Sequence, residues 1–185
     1  MATKQSSREG NIRKFVVHQS KNADKDAVDT SIDITSAVSE IRYYENVLSN
    51  SVSLTAVIAE TGGTDDKKLG NVGILDGLPV RGGEPSTIFI EDHDGTPLNF
   101  KDDSKLYVNR VRNVISGTSK DVYVLDFVPR ELFANEQCRV VKRYDGKISE
   151  NIKKILEKDT SKSAGIKTKK KLNIDETNLE YNFIG

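Results

Sequence analysis

From Ser51 to Glu60 the chain reads SVSLTAVIAE, with an apolar residue at every second position. Val52, Leu54, Ala56 and Ile58 share one side, while Ser51, Ser53 and Thr55 take the other. That is the period of a half-buried β-strand. The same signature recurs in FVVHQ (Phe15–Gln19), in TSIDIT (Thr30–Thr35, with Ile32 and Ile34 inward) and in STIFIED (Ser86–Asp92). STIFIED runs into the turn sequence DHDGTP. KLYVNRVRNVIS and DVYVLDFVP flank GTSKD and predict a long antiparallel hairpin. Regular strands separated by turns predict a mainly β fold with minor α, an antiparallel sandwich or barrel over residues 14–129. Residues 1–13, polar and charged, are expected to form a flexible tail.

Beyond Pro129 the period changes. KISENIKKILEK places Ile148, Ile152, Ile155 and Leu156 on one helical face. Ser149 is the expected N-cap, and Glu150 is set to pair with Lys154 one turn on. CRVVKRYDG reads as a strand and turn, and KLNIDET as a further strand. A strand, a helix and one more strand are too few to close a core. Residues 130–185 are therefore expected to be the incomplete beginning of a second domain, interrupted at the apolar end YNFIG.

Two segments stand out from this pattern. In EIRYYENVL, alternation sends Ile41 and Tyr43 to one face and Arg42 and Tyr44 to the other. The first pair is expected in the core and the second on the outward face. Thr61 to Glu84 is long for a connection, where roughly 4–6 residues are usual. It contains Leu69, Val72, Ile74, Leu75 and Leu78, so it packs on its own domain or reaches onto a neighbour. GLPVRGGEPS within it has the stiff, glycine-paired character of a fixed-shape excursion.

Charge refines the picture. The 185 residues carry 28 basic and 28 acidic side chains, unevenly distributed. Residues 1–20 are net +3, residues 21–138 net −8, residues 139–171 net +8 and the last fourteen net −3. The sign change near 130–138 agrees with a boundary there. The basic run KTKKK (Lys167–Lys171) reads as a solvated loop, because a nucleic-acid patch would bring interleaved aromatics or glycines. No stretch approaches the ~20 apolar residues of a membrane-spanning helix, and the amino terminus lacks the apolar core of a secretory signal. A single cysteine, Cys138, excludes an internal disulfide framework and points to a reducing compartment.

Candidate chemistry is sparse. His18 lies within an apolar strand and reads as structural. His93 sits among Glu91, Asp92, Asp94 and Gly95, but an EF-hand needs a twelve-residue loop closed by glutamate, and Gly95-Thr96-Pro97 follows instead. Asp94-Gly95 reads as a hairpin turn. TGGTDDKKLGNVG matches neither phosphate-binding glycine pattern. No catalytic residues, metal site or cofactor are expected.

SAVSEIRYYENVLSNSVSLTAVIAETGG, followed by LDGLPVRGGE, resembles the amino-terminal part of the central baseplate hub protein of contractile-tailed bacteriophages. ELFANEQCRVVKRYDGKISENIKKIL and LNIDETNLEYNFIG are similar to the stretch where that family enters its second domain. The likeness covers roughly residues 14–185 and rests on structural motifs. It implies tail-tube-like β domains, two per subunit. Three subunits would then form a homotrimeric, pseudo-sixfold ring in the virion, assembled in the host cytoplasm. The implied neighbours are the central spike, the tail tube or tube-initiator protein and other baseplate proteins, with DNA passing only in transit. Under this resemblance Arg42 and Tyr44 become candidate interface residues, and the acidic balance of residues 21–138 suits a channel wall that repels phosphates. Two other classes stay open: a tube-fold module of another contractile injection machine, and a nucleic-acid-binding domain using residues 139–171.

Overall fold

The computed structural model describes residues 10–19, 31–61, 74–77, 80–92, 94–118, 120–137, 143–157 and 165–184. The chain is mainly antiparallel β-sheet with two longer helices. It falls into two compact units, Met1–Val128 and Pro129–Gly185.

The first unit holds β1 (Asn11–His18), β2 (Ser31–Asp33), β3 (Val38–Tyr44) and β4 (Ser53–Glu60), then a single helical turn, α1 (Ile74–Gly77). β5 (Pro85–Glu91), β6 (Pro97–Phe100), β7 (Leu106–Ser116) and β8 (Asp121–Pro129) follow. They make one eight-stranded sheet in the order β2-β1-β5-β7-β8-β4-β3, with β6 pairing on β5. β1 begins at Asn11, four positions before the apolar run that announces it. β6 was not signalled, because PLNF is too short to show a period.

The alternation on β4 is realised. Leu54, Ala56 and Ile58 are fully buried, and Val52 packs against them. Ile32 and Ile34 are buried, as are Phe15, Val17, Ile88, Leu106, Val108, Tyr123, Leu125 and Phe127. Phe15 on β1 meets Phe127 on β8 with ring centroids 5.3 Å apart in an edge-on arrangement. Tyr43 on β3 reaches Phe100 on β6 at 5.5 Å. Strands distant in the sheet order thus touch, so the sheet curls around one core.

The described part of the long connection packs on its own unit. Ile74 and Val80 are buried in the core and Leu75 lies against it, while Leu69, Val72 and Leu78 fall outside the described residues. Two buried acids hold this excursion. Glu60, at the end of β4, accepts the Ile74 backbone N–H at 3.1 Å. Glu84 accepts the N–H groups of Arg81 and Gly82 at 2.9 and 2.8 Å. Gly82 has φ +120° and Gly83 φ +90°, conformations costly for any residue with a Cβ. Gly83 N–H then donates to the Val108 carbonyl, fixing the turn against β7.

In the second unit, α2 (Arg130–Gln137) precedes β9 (Arg143–Lys147), α3 (Ile148–Glu157) and β10 (Glu180–Ile184), with β9 and β10 antiparallel. The late strand is β10 rather than KLNIDET. The helix over Ile148–Glu157 matches the periodic stripe, and Glu150 pairs with Lys154 at 3.9 Å. Ser149 is not its N-cap, however. It stands inside the first turn, and the Thr177 hydroxyl accepts its N–H at 3.4 Å while Thr177 N–H donates to the Ser149 hydroxyl. A residue distant in sequence thus supplies the cap. The stripe is only partly covered, since Ile152 is 39% exposed. At the other end, Ile166 and Thr168 N–H groups donate to the carbonyls of Ile155 and Leu156, both at 2.7 Å.

Candidate interaction surface

β3 is a terminal strand of the large sheet, paired on one side to β4. Its residues alternate as the sequence indicates. Ile41 and Tyr43 pack against the core, whereas Glu40, Arg42 and Tyr44 face solvent, Tyr44 with 55% exposure. Arg42 Nε donates to Glu40 Oε1 at 2.5 Å, a pair formed within the strand. Of the two adjacent tyrosine rings, then, one packs against the core.

After Tyr44 the chain turns back into β4 through a tightly hydrogen-bonded loop. Asn46 Oδ1 accepts the Leu48 N–H at 2.9 Å, and Asn46 carbonyl accepts the Ser49 N–H at 3.0 Å. Ser49 hydroxyl donates to the Ser51 carbonyl at 2.8 Å. At its start Tyr43 hydroxyl donates to Glu45 Oε2 at 2.9 Å. Burial, reinforced by that carboxylate, pushes the Tyr43 phenol up to about 12, so it remains a donor across ordinary pH. The loop presents Val47 and Leu48 with 97% and 91% of their surface in water. Beside them is an open recess of about 360 Å³ lined by Tyr43, Tyr44, Glu45, Asn46, Ser49, Ser51 and Ser53.

The sequence pattern missed Val47 and Leu48. In ENVLSNS they look like the continuation of an apolar strand. The available signal was the asparagine and serine on either side, which favour local backbone hydrogen bonds over a ladder.

The outward sheet face beside this edge carries a polar row. Asp126 on β8 accepts from Arg112 Nε at 2.8 Å and from the Thr55 hydroxyl at 2.9 Å. Burial alone would raise the Asp126 pKa, but hydrogen bonds from Arg112 and Thr55 and the guanidinium charge outweigh it and hold the carboxyl below its usual range.

The remaining candidates do not converge on chemistry. His18 Nε2 lies 2.9 Å from the Thr87 hydroxyl, a cross-strand contact. His93 and Cys138 lie outside the described residues. Asp92 Oδ1 accepts the N–H groups of Asp94 and Thr96 at 3.0 and 2.8 Å, so this acid shapes the β5–β6 turn, with Gly95 at φ +78°. Among the described residues no cluster of three or more His, Cys, Asp or Glu is arranged to hold a metal ion. Nor is any described helix long and apolar enough to cross a membrane. In the basic segment the side chains of Lys167, Lys169, Lys170 and Lys171 are exposed, and Lys170 lies 3.4 Å from Glu131.

A scan against protein-family models finds no match, and a comparison with curated proteins finds none either. The functional reading therefore rests on the surface just described and on the sequence resemblance.

Proposed function

We propose that this chain is the amino-terminal part of a central baseplate hub of a contractile tail, a structural protein rather than an enzyme. In this reading its first unit is a tail-tube-like β domain. Three subunits build a pseudo-sixfold ring that joins the central spike to the tail tube and leaves a channel for DNA. The observation that carries the reading is the juxtaposition of β3, whose outer side pairs with no described strand, with the hydrogen-bonded loop that holds Val47 and Leu48 in water.

An uncovered strand leaves a row of backbone donors and acceptors for another chain to pair with. Two adjacent apolar side chains held in water forgo roughly 1.5–3 kcal/mol each of burial. A surface of this kind suits lasting contact with protein neighbours, which a ring between spike and tube requires. Arg42 and Tyr44, beside both features, are its proposed interface residues. The sequence likeness over residues 14–185 supplies the choice of hub over other assemblies.

The test is to locate the full-length protein within assembled tails by electron microscopy and to weigh it in solution. Trimers on the tail axis between spike and tube are expected. A monomer within tails, or a position at the baseplate periphery, overturns the reading.

A further inference from the structure

We propose that β3 pairs with β3 of a second copy about a two-fold axis through Ile41, forming a reversible dimer of the free chain. The inference goes beyond the hub reading and does not depend on it.

Its starting point is the difference between β3 and the strands β1, β2 and β6 of the same sheet. Natural sheets blunt their edges with short strands, prolines, bulges or charges of one sign. β2, at the far end of the order, has three residues and carries the exposed Asp33. β6 has four and begins with Pro97. The part of β1 that runs past β2 carries Arg13 and Lys14, both basic. β3 is irregular between Val38 and Glu40 but regular from Glu40 to Tyr44, and that stretch has neither proline nor glycine and carries one acid and one base. It lacks the like-charge guard that would stop a second copy from docking.

Its charge pattern also matches itself. Glu40 and Arg42 lie two positions apart on the solvent face, either side of Ile41. In an antiparallel pair centred on Ile41, Glu40 of each copy stands directly opposite Arg42 of the other. Residues opposite one another in such a pair share a face. Ile41 then meets Ile41 on the core side. The intrastrand Glu40–Arg42 pair is exchanged for two pairs across the new seam, so no charge is stranded. Moving the centre to Arg42 sets the two arginines against each other. Moving it to Glu40 sets the two glutamates against each other. Of the registers centred on Glu40, Ile41 and Arg42, only the one on Ile41 sets opposite charges together. Where a ring uses the same edge, the dimer must open first.

Sedimentation of the 185-residue chain from low to high micromolar concentration tests this, with amide exchange read on β3. A monomer–dimer equilibrium is expected, with β3 amides protected as the dimer fills. Arg42→Glu places acids opposite acids at both crossings and should weaken dimerisation by about tenfold or more. The double exchange Glu40→Arg with Arg42→Glu is again self-complementary and should restore it. Both positions are solvent-facing, so circular dichroism should show all variants folded. A chain monomeric at every concentration overturns the proposal. So does a dimer indifferent to Arg42→Glu, which would put the contact elsewhere, or one that the double exchange fails to restore. The hub reading stands or falls separately, on the protein's position in tails.

Discussion

Arg112 holds Asp126 with both arms of its guanidinium, Nε to Oδ2 at 2.8 Å and Nη2 to Oδ1 at 3.1 Å. Since Thr55 and Arg110 share the same carboxylate, one side chain on β8 ties to both β4 and β7 on the outward face. Its pKa is lower in the folded protein than the ordinary aspartate value. A carboxylate of that kind stabilises the fold above its unfolded pKa, and the contribution is lost as pH falls through the folded value. The urea midpoint should therefore drop as pH falls below about 4, the range in which unfolded aspartate protonates. Asp126→Asn should flatten that drop. Asp126→Ala should cost about 1–2 kcal/mol at neutral pH, a modest figure because both arginines are partly solvated. Equal acid sensitivity in wild type and Asp126→Asn would assign the effect to other carboxylates.

Leu54 and Ile58 are fully buried on β4, so truncating either to alanine should destabilise by about 2–5 kcal/mol. Ser53→Ala, on the opposite side of the strand, should lie within roughly 0.5 kcal/mol of wild type. Chemical denaturation of the three variants checks this. Comparable losses at Leu54 and Ser53 would mean that the register of β4 is wrong.

Tyr123 is wholly buried, and its hydroxyl has no hydrogen-bond partner among the described residues. Burial, then the charges of Glu60 and Asp121, push its pKa upward, so the neutral phenol persists. A buried unpaired hydroxyl is a net cost, and Tyr123→Phe should be neutral or stabilising by up to about 1 kcal/mol. Thermal denaturation reads the sign. A clear loss of stability would show that the hydroxyl is bonded after all.

Val47→Ser with Leu48→Ser should leave the isolated chain as stable as wild type, because neither side chain is buried. Under the proposed hub function, the same pair of changes should reduce incorporation of the full-length protein into tails. Counting hub copies per purified tail measures it. Normal incorporation would remove this loop from the proposed interface.

The residues that alternate were legible. Leu54, Ala56 and Ile58, and the opposed faces of Ile41 with Tyr43 and Arg42 with Tyr44, follow from period two alone. The buried acids were not. Glu60 continues the inward parity of β4, but the N–H that accommodates it belongs to Ile74, on a separate segment. Pattern cannot see a partner supplied by chain geometry. α2 was missed because RELFANEQ has no fully buried residue and hence no stripe to detect. The apolar stripe of α3 was visible, yet its cap comes from Thr177, and Ser149 alone looks sufficient. At the surface, Arg42 and Tyr44 were readable as outward-facing. Val47 and Leu48 were hidden by their own hydrophobicity, which in sequence means burial and here does not.

The shortness of β2 and the proline that opens β6 bear on how far association can run. A subunit with two adhesive edges adds copies without limit and grows a fibre. One whose adhesive edge is β3 alone, meeting its like about a two-fold, has nothing left to offer once paired. With β3 paired to its like as proposed, growth at this edge would stop at two copies, and the short β2 and the proline of β6 would keep the large sheet from adding more through those strands.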